Sequence, residues 1–401
     1  MIPFFRPYIS SAMTEAVQAC LASGWLNEGP WTGRFEQALQ TYTQSDAVLA
    51  VSSNTVGLEL ALRWLGIGPG DEVIVPVYSY CVSAHAVLYT GATPVFWACG
   101  PDFLPDVHAL GNLITPKTRA IITVDLGGRL CNYPEIEKVL ADHPYVPENE
   151  IQEHFSRIPV IADTAHSIGG RLLTKPAGSW ADISVFSFHS AKNITTGDGG
   201  AIAFNLPKSF SLPDVLSWFR QMRIHGKSKV ARSDSAAGNF GYDVILPGIK
   251  ANMTDMQASL GLAQLEVYED ELLPDRRRMA EVYFSLLNGH EEILLPPKDS
   301  IDNQSAWHLF LVRIPGIAEV HKYRMMEEAS KAGVGFSHHY PLITSFTLYR
   351  KLGYHPSATP HSSKFSVEEI TLPLYHGLST DDQSKVVEVL MFEIQKWRRN
   401  L

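Results

Sequence analysis

Residues 160–200 read VIADTAHSIGGRLLTKPAGSWADISVFSFHSAKNITTGDGG, and the fold turns on how this stretch is read. Two short apolar runs, Val160 to Ala162 and Ile183 to Phe188, are compatible with buried strands, and each ends in polar residues. The first delivers Asp163 and then His166. The second delivers Ser187, His189 and Lys192, followed by a turn bearing Gly197, Gly199 and Gly200. An acid, a hydroxyl and a lysine can therefore converge at one end of a sheet.

A lysine at the end of a buried strand suits Schiff-base chemistry, because a desolvated amine loses its proton more easily and becomes a nucleophile toward an aldehyde. Pyridoxal phosphate is such an aldehyde, and its ring nitrogen needs a carboxylate beside it to stay protonated. Asp163 stands 29 residues before Lys192, room enough for two neighbouring strands and a connector. Taken one at a time, Asp163 is more simply a turn cap and Lys192 a solvated loop lysine; it is their joint occurrence that suggests a cofactor site.

Outward from this centre the chain alternates short apolar strands with helical segments from Ala47 to Phe204, the pattern of a mainly parallel sheet wrapped by helices, with ligands at the strand C-termini. The run AVLAVSS, then Asn54 and Thr55, then VGLELALRWLGI reads as strand, polar turn and amphipathic helix. That order leaves free N–H groups at the helix start, where a phosphate fits, although the same residues serve equally as plain caps. Tyr80 suits either the core or an aromatic face against a ligand. A buried strand, AIITVDLGGRL, follows, and residues 132–154 read as a surface excursion.

After Gly200 the strand AIAFN closes the sheet, and a helix through Trp218 and Met222 leads to a loop-rich stretch. Its Lys227, Lys229 and Arg232 are either diphosphate contacts or a solvated loop. The next segment is largely helical, with Met256, Leu260, Ala263 and Val267 at the spacing of one buried face, and Asn252 placed to cap it with Asp255 three residues on. If His338 and His339 lie in a strand they point to opposite faces and do not readily share a metal.

At 401 residues the chain exceeds one compact domain, and two unequal lobes are expected, 1–269 and 270–401. A net charge of −9 without a Lys/Arg run argues against nucleic acid as partner. Cys20, Cys81, Cys99 and Cys131 are scattered and form no CxxC pair, which points to a reducing compartment. No stretch of eighteen apolar residues occurs, so the protein reads as cytoplasmic, without a membrane partner.

The blocks AVSSNTVGLELAL, DTAHSIGG, VFSFHSAKNITTGDGG and NMTDMQASLGLAQLE resemble, in order, the signature segments of the DegT/DnrJ/StrS-type nucleotide-sugar aminotransferases. The resemblance implies a fold-type I pyridoxal-phosphate enzyme, with a large α/β domain and a smaller C-terminal one. Catalytic Lys192 would anchor the cofactor and Asp163 hold its ring nitrogen, with His166 near the phenolic oxygen and Tyr80 stacked on the ring. Ser187, Asn54 (through its backbone) and Thr55 would grip the phosphate, and Asn252 would reach the neighbouring subunit's phosphate, making a homodimer with shared active sites.

The loop SGWLNEGPWTGRFE would lie near the site and FSHHYPLI near the sugar pocket. Asp125 stands where the family tends to carry histidine. The implied substrates are glutamate or glutamine as donor and a nucleotide-linked keto sugar as acceptor, and the wording FSFHSAKNIT resembles members that aminate C4 of UDP-linked 4-keto sugars. Relatives with histidine in place of Lys192 remove a hydroxyl instead. A keto-cyclitol aminotransferase and a non-catalytic cofactor-binding regulator are the alternatives.

Overall fold

The computed structural model describes residues 1–229 and 242–399. At its centre are seven strands: β1 (Ala47–Val51), β2 (Glu72–Pro76), β3 (Thr93–Trp97), β4 (Thr118–Val124), β5 (Val160–Asp163), β8 (Ile183–Ser187) and β9 (Gly200–Phe204). Between them in sequence the two-residue strands β6 (Arg171–Leu172) and β7 (Lys175–Pro176) form a small side sheet. The central order is β1-β9-β8-β5-β4-β2-β3. Every neighbouring pair from β8 to β3 is parallel, whereas β9 runs antiparallel to both β8 and β1. β1, β4, β5, β8 and β9 are buried or nearly so along their length, as a sheet covered on both faces requires.

Helices α1 (Ser11–Ser23), α2 (Pro30–Thr43), α3 (Asn54–Trp64), α4 (Val82–Thr90), α5 (Val107–Leu110), α6 (Tyr133–Ala141), α7 (Leu212–Met222) and α8 (Asp255–Val267) surround this sheet. Two apolar clusters, one on each face, hold it; Leu49, Leu58, Val75, Val185 and Phe204 in one are wholly buried, each contributing roughly 1.5–3 kcal/mol. A third cluster joins α9 (Leu273–Leu286), α10 (Glu319–Lys331), the long α13 (Thr380–Arg399) and the antiparallel pair β13 (Phe310–Arg313) and β14 (Glu369–Leu372). Short helices α11 (Thr347–Lys351) and α12 (Pro360–Glu368) precede β14, and β12 (Asn303–Gln304) adds to the side sheet. Ile2 belongs to the third cluster and pairs with Val334, so the N-terminus crosses to the C-terminal part.

Several local expectations need correction. The stretch after α7 is not simply loop: β10 (Lys227–Lys229) and β11 (Tyr242–Val244) form a hairpin, with the Lys227 ammonium 4.5 Å over the Tyr242 ring. Lys227 lines neither cavity described below, and Arg232 lies outside the described residues. Residues 132–154 are not only surface, because α6 lies here, and the buried Gln152 and the half-buried Asn149 both donate to the Leu65 carbonyl that closes α3.

The expected buried face of α8 holds only in part. Ala263 is buried and Leu260 and Val267 are partly so, but Met256 is 37% exposed, and Ala258, Ser259, Gly261, Leu262 and Leu265 are buried as well. A Cβ on Gly261 would sit 2.5 Å from the Phe35 ring of α2. Close helix approach selects small residues at this contact, so burial extends well beyond the expected apolar stripe. The cap of α8 is Thr254, in a reciprocal box with Gln257. Asp255 instead accepts from the N–H groups of Gly29, Trp31 and Thr32 and from the Thr32 hydroxyl, and so caps α2.

Candidate active site

The parallel strands all end at one edge, and their next residues meet there. Ser53, Asn54 and Thr55 follow β1, Ser79 and Tyr80 follow β2, and Val124, Asp163 and Ser187 end β4, β5 and β8. With Ala165, His166, His189, Lys192, Asp198, His339 and Tyr340 among its other walls, they line a cavity of about 410 Å³. Because β9 is antiparallel, its first residue Gly200 also lies at this edge, opposite Val51 and Ser187. A Cβ on Gly200 would come within 2.6–2.8 Å of the backbone of Ser53, Asn54 and Phe186. One on Gly57 would lie 2.4 Å from Val185. These glycines let the start of α3 settle onto β8 and β9.

Asp163 is 4% exposed. Its Oδ1 accepts from Asn54 Nδ2 at 3.0 Å and from the Ala165 N–H at 3.3 Å, and its Oδ2 accepts from the Ser83 hydroxyl at 2.8 Å. Burial pushes its pKa up, opposed by Ser83, Ala165, Lys192 and Asn54. A carboxylate held on three sides in the wall of a cavity, without an ion pair among the described residues, leaves a place for a cationic N–H.

Lys192 is half-buried because it lines the cavity, and its amine has neither a hydrogen bond nor an ion pair among the described residues. Desolvation lowers its pKa to about 8, with the Asp163 charge opposing. The turn that presents it is closed by the Lys192 N–H to the His189 carbonyl at 2.9 Å, and by Phe188 N–H to Gly199 and Thr196 N–H to Phe188.

His166 is 5% exposed and its pKa is driven well down by burial, so the ring is neutral. Its Nδ1 accepts from the Gly127 N–H at 3.2 Å, which assigns the proton to Nε2, 3.0 Å from the Tyr340 hydroxyl. Tyr80 is 59% exposed, which excludes a core role, and its ring centroid stands 5.9 Å from that of Tyr340. The Ser53 hydroxyl caps α3, while Thr55 and Ser187 line the cavity. Asn252 does not line it: its Nδ2 donates to Asn27 Oδ1 at 2.8 Å and its Oδ1 accepts from Lys250 at 2.5 Å.

The sequence did not reveal the side-chain role of Asn54, which also donates to the Val185 carbonyl at 2.8 Å, nor Ser83; it placed the segment FSHHYPLI near the site without singling out its Tyr340. No motif marks Ser83, which lies 80 positions from its partner. Asp125 is no part of the cavity; it accepts from the Cys131 N–H and the hydroxyls of Tyr133 and Ser167, and burial raises its pKa to about 6. His338 and His339 diverge, the first meeting Lys322 and Tyr323, the second Thr371 and the cavity.

The donor set fits pyridoxal phosphate. An amine without a hydrogen bond and a buried carboxylate without a salt bridge among the described residues, together with a helix N-terminus with hydroxyls on either side, lie around one cavity. Bound there, this cofactor supplies the aldehyde and the electron-withdrawing ring through which an amino group is passed on.

The comparisons with known proteins agree. The model of the DegT/DnrJ/EryC1/StrS aminotransferase family matches residues 7–391. The chain is 31% identical over 398 residues to the spore coat polysaccharide biosynthesis protein SpsC of Bacillus subtilis, covering 97% of this chain and 96% of that one. Spr1654 of Streptococcus pneumoniae, assigned as a sugar aminotransferase, superposes in its PMP form with a TM-score of 0.95 at 35% identity, over 99% of this chain and 100% of that one. Its PLP form gives 0.93 at 34%, over 98% and 99%. The aminotransferase TlmJ of Streptoalloteichus hindustanus gives 0.85 at 26%, over 99% and 100%. The fold is therefore fold-type I, and the chain belongs to the DegT/DnrJ/EryC1/StrS aminotransferase family as a pyridoxal-phosphate-dependent aminotransferase.

Proposed function

We propose that this enzyme moves an amino group from glutamate or glutamine to C4 of a UDP-linked 4-keto-6-deoxy sugar, supplying amino sugars for surface polysaccharide or lipopolysaccharide in the cytoplasm. The observation that carries this reading is the pairing of Lys192, an amine lowered to about 8, with the buried Asp163 in a cavity of about 410 Å³. That space suits a cofactor and the sugar end of a substrate. Kinship with a spore coat polysaccharide protein supports the pathway class.

In this reading Lys192 anchors the cofactor and then takes the proton from the amino-bearing carbon of the donor, returning it to the acceptor carbon. Asp163 keeps the ring nitrogen charged, with Asn54 and Ser83 holding the carboxylate in place. Ser187, the Asn54 backbone and Thr55 bind the phosphate; His166 sits at the phenolic edge and Tyr80 on the ring face. Asn252 serves the neighbouring subunit in a homodimer. Exposed Trp25, Leu26 and Met256, and the absence of Asn252 from its own chain's cavity lining, support that assembly.

The test is the absorption spectrum of the purified holoenzyme, with glutamate added first and then a panel of nucleotide keto sugars. We expect glutamate to bleach the visible band and a UDP-4-keto-6-deoxy sugar to restore it. Restoration only by a 3-keto sugar, another nucleotide or a keto-cyclitol would replace the proposed acceptor.

A further inference from the structure

The residue that follows Lys192 is bound more firmly than Lys192 itself. Asn193 is 6% exposed, and with His308 it lines a second, smaller chamber of about 70 Å³ that shares Ala191, Lys192, His339 and Tyr340 with the larger cavity. Its Nδ2 donates to the Ala306 carbonyl at 2.9 Å and to the Tyr268 hydroxyl at 3.1 Å, and its Oδ1 stands 2.9 Å from His308 Nδ1. A carbonyl can only accept, so the Ala306 bond fixes which end of the amide is nitrogen, and His308 must then donate from Nδ1. The Tyr268 hydroxyl passes its own proton to the Ile168 carbonyl at 2.8 Å. Both amide hydrogens of Asn193 are used, and the directions of the bonds admit one arrangement.

These partners come from distant parts of the chain. Ala306 and His308 precede β13, and their N–H groups reach back to the carbonyls of Gly128 at 2.9 Å and Gly127 at 2.8 Å, just after β4. A Cβ on Gly128 would lie 2.8 Å from the Trp307 nitrogen, so glycine is what allows this approach. Tyr268 is wholly buried and begins the π-helical turn Tyr268–Leu272 between α8 and α9.

The backbone around Lys192 is otherwise sparsely held. It lies in no helix or strand, and among the described residues no backbone N–H donates a hydrogen bond between that of Lys192 and that of Thr195, which reaches Gln264 Oε1 at 3.1 Å. The Asn193 side chain is therefore the fixture closest in the chain to the lysine. Desolvation is what lowers the Lys192 amine to about 8. That effect lasts only while the amine is withheld from water, and a turn free to swing would carry it into solvent.

We propose that Asn193 is a positioning residue for Lys192: its amide, locked by Ala306, His308 and Tyr268, holds the lysine's turn so that the amine stays in the cavity wall. This rests on Lys192 being the residue that takes up the cofactor, as set out above. The segment before β13 and the turn between α8 and α9 then set the reactivity of an amine at the edge of the central sheet, without touching substrate or cofactor there.

The experiment loads the full-length apoenzyme with pyridoxal phosphate across a range of pH and follows the visible band by stopped flow, for the wild type, Asn193→Ala, Tyr268→Phe and Tyr283→Phe. Tyr283 belongs to the third apolar cluster, donates to the Pro373 carbonyl at 2.8 Å and lines neither cavity, so its variant reports bare loss of stability. Tyr283→Phe is expected to melt earlier and to load with the wild-type midpoint near 8. Asn193→Ala is expected to move the midpoint up by about one unit, which makes loading at pH 7 about tenfold slower. Tyr268→Phe, which removes one of the three partners, should slow it about threefold in the same direction. Asn193→Ala that is destabilised yet loads with the wild-type midpoint overturns the assignment. Should that variant not fold, an unchanged midpoint in Tyr268→Phe overturns it equally. Failure of the anchoring reading looks different, because Lys192→Ala would then form the same visible band as the wild type.

Discussion

Asn54 Nδ2 stands 3.0 Å from Asp163 Oδ1 and 2.8 Å from the Val185 carbonyl, so one amide at the start of α3 ties the end of β5 to β8. The residue that opens α3 therefore also fixes the Asp163 carboxylate in the cavity wall. In the proposed function, phosphate and ring nitrogen would be held in register through this single side chain.

Asn54→Ala removes two donated hydrogen bonds at once, leaving Asp163 Oδ1 with the Ala165 N–H alone and the Val185 carbonyl with the Thr164 N–H alone. A destabilisation of about 1–3 kcal/mol is expected, read as a shift of the urea midpoint with an unchanged slope. No shift would mean that the remaining backbone donors satisfy both acceptors.

Ser83→Ala takes the 2.8 Å donor from Asp163 Oδ2. With burial already pushing the pKa of this carboxyl up, losing a donor to its charged form raises it further. Turnover should fall by about tenfold, matching roughly 1–1.5 kcal/mol, with the loss greatest at low pH. A uniform loss across pH would point to a packing defect instead.

Lys192→Ala should abolish amino transfer, because in the proposed function its amine is both the anchor and the base; the loss should exceed about a thousandfold. The variant should still bind the cofactor through the other contacts, without the wild-type visible band. Residual turnover near the wild-type rate would remove Lys192 from the mechanism.

The amine of Lys192, lowered to about 8 from 10.5, is neutral in about one molecule in ten at pH 7, against fewer than one in a thousand for an ordinary lysine. Loading of the apoenzyme with pyridoxal phosphate should quicken with pH through a midpoint near 8, as stopped-flow absorbance would record. Stability follows the same group with a definite sign. Between pH 8 and 10.5 the unfolded chain binds more protons here than the folded one, so Lys192 makes apoenzyme stability rise with pH across that window. A loading midpoint near 10 would show a solvated amine.

Gly200→Ala would place a Cβ within 2.6–2.8 Å of three backbone atoms. Because backbone cannot rotate aside as a side chain can, α3 should lift off β9. Cofactor affinity is expected to fall together with thermal stability, by about 1–3 kcal/mol in the latter, as calorimetry with and without cofactor would show.

The sequence by itself determined the strand ends that carry Asp163, Ser187 and Lys192, the polar turn before α3, and the mainly parallel sheet. These are legible because a strand running into a polar turn is a local signal, and the ordered blocks resemble one family. Only the tertiary structure decided what those residues touch. Ser83 and Asn54 reach Asp163 across 80 and 109 positions, and Asp255 caps a helix more than 220 residues away. It also decided that β9 runs antiparallel between β1 and β8, and that α8 buries its small residues and leaves Met256 exposed. A serine, an arginine or an apolar stripe looks the same in sequence whether it is solvated, packed or catalytic, because burial and hydrogen bonding are set by segments distant in the chain.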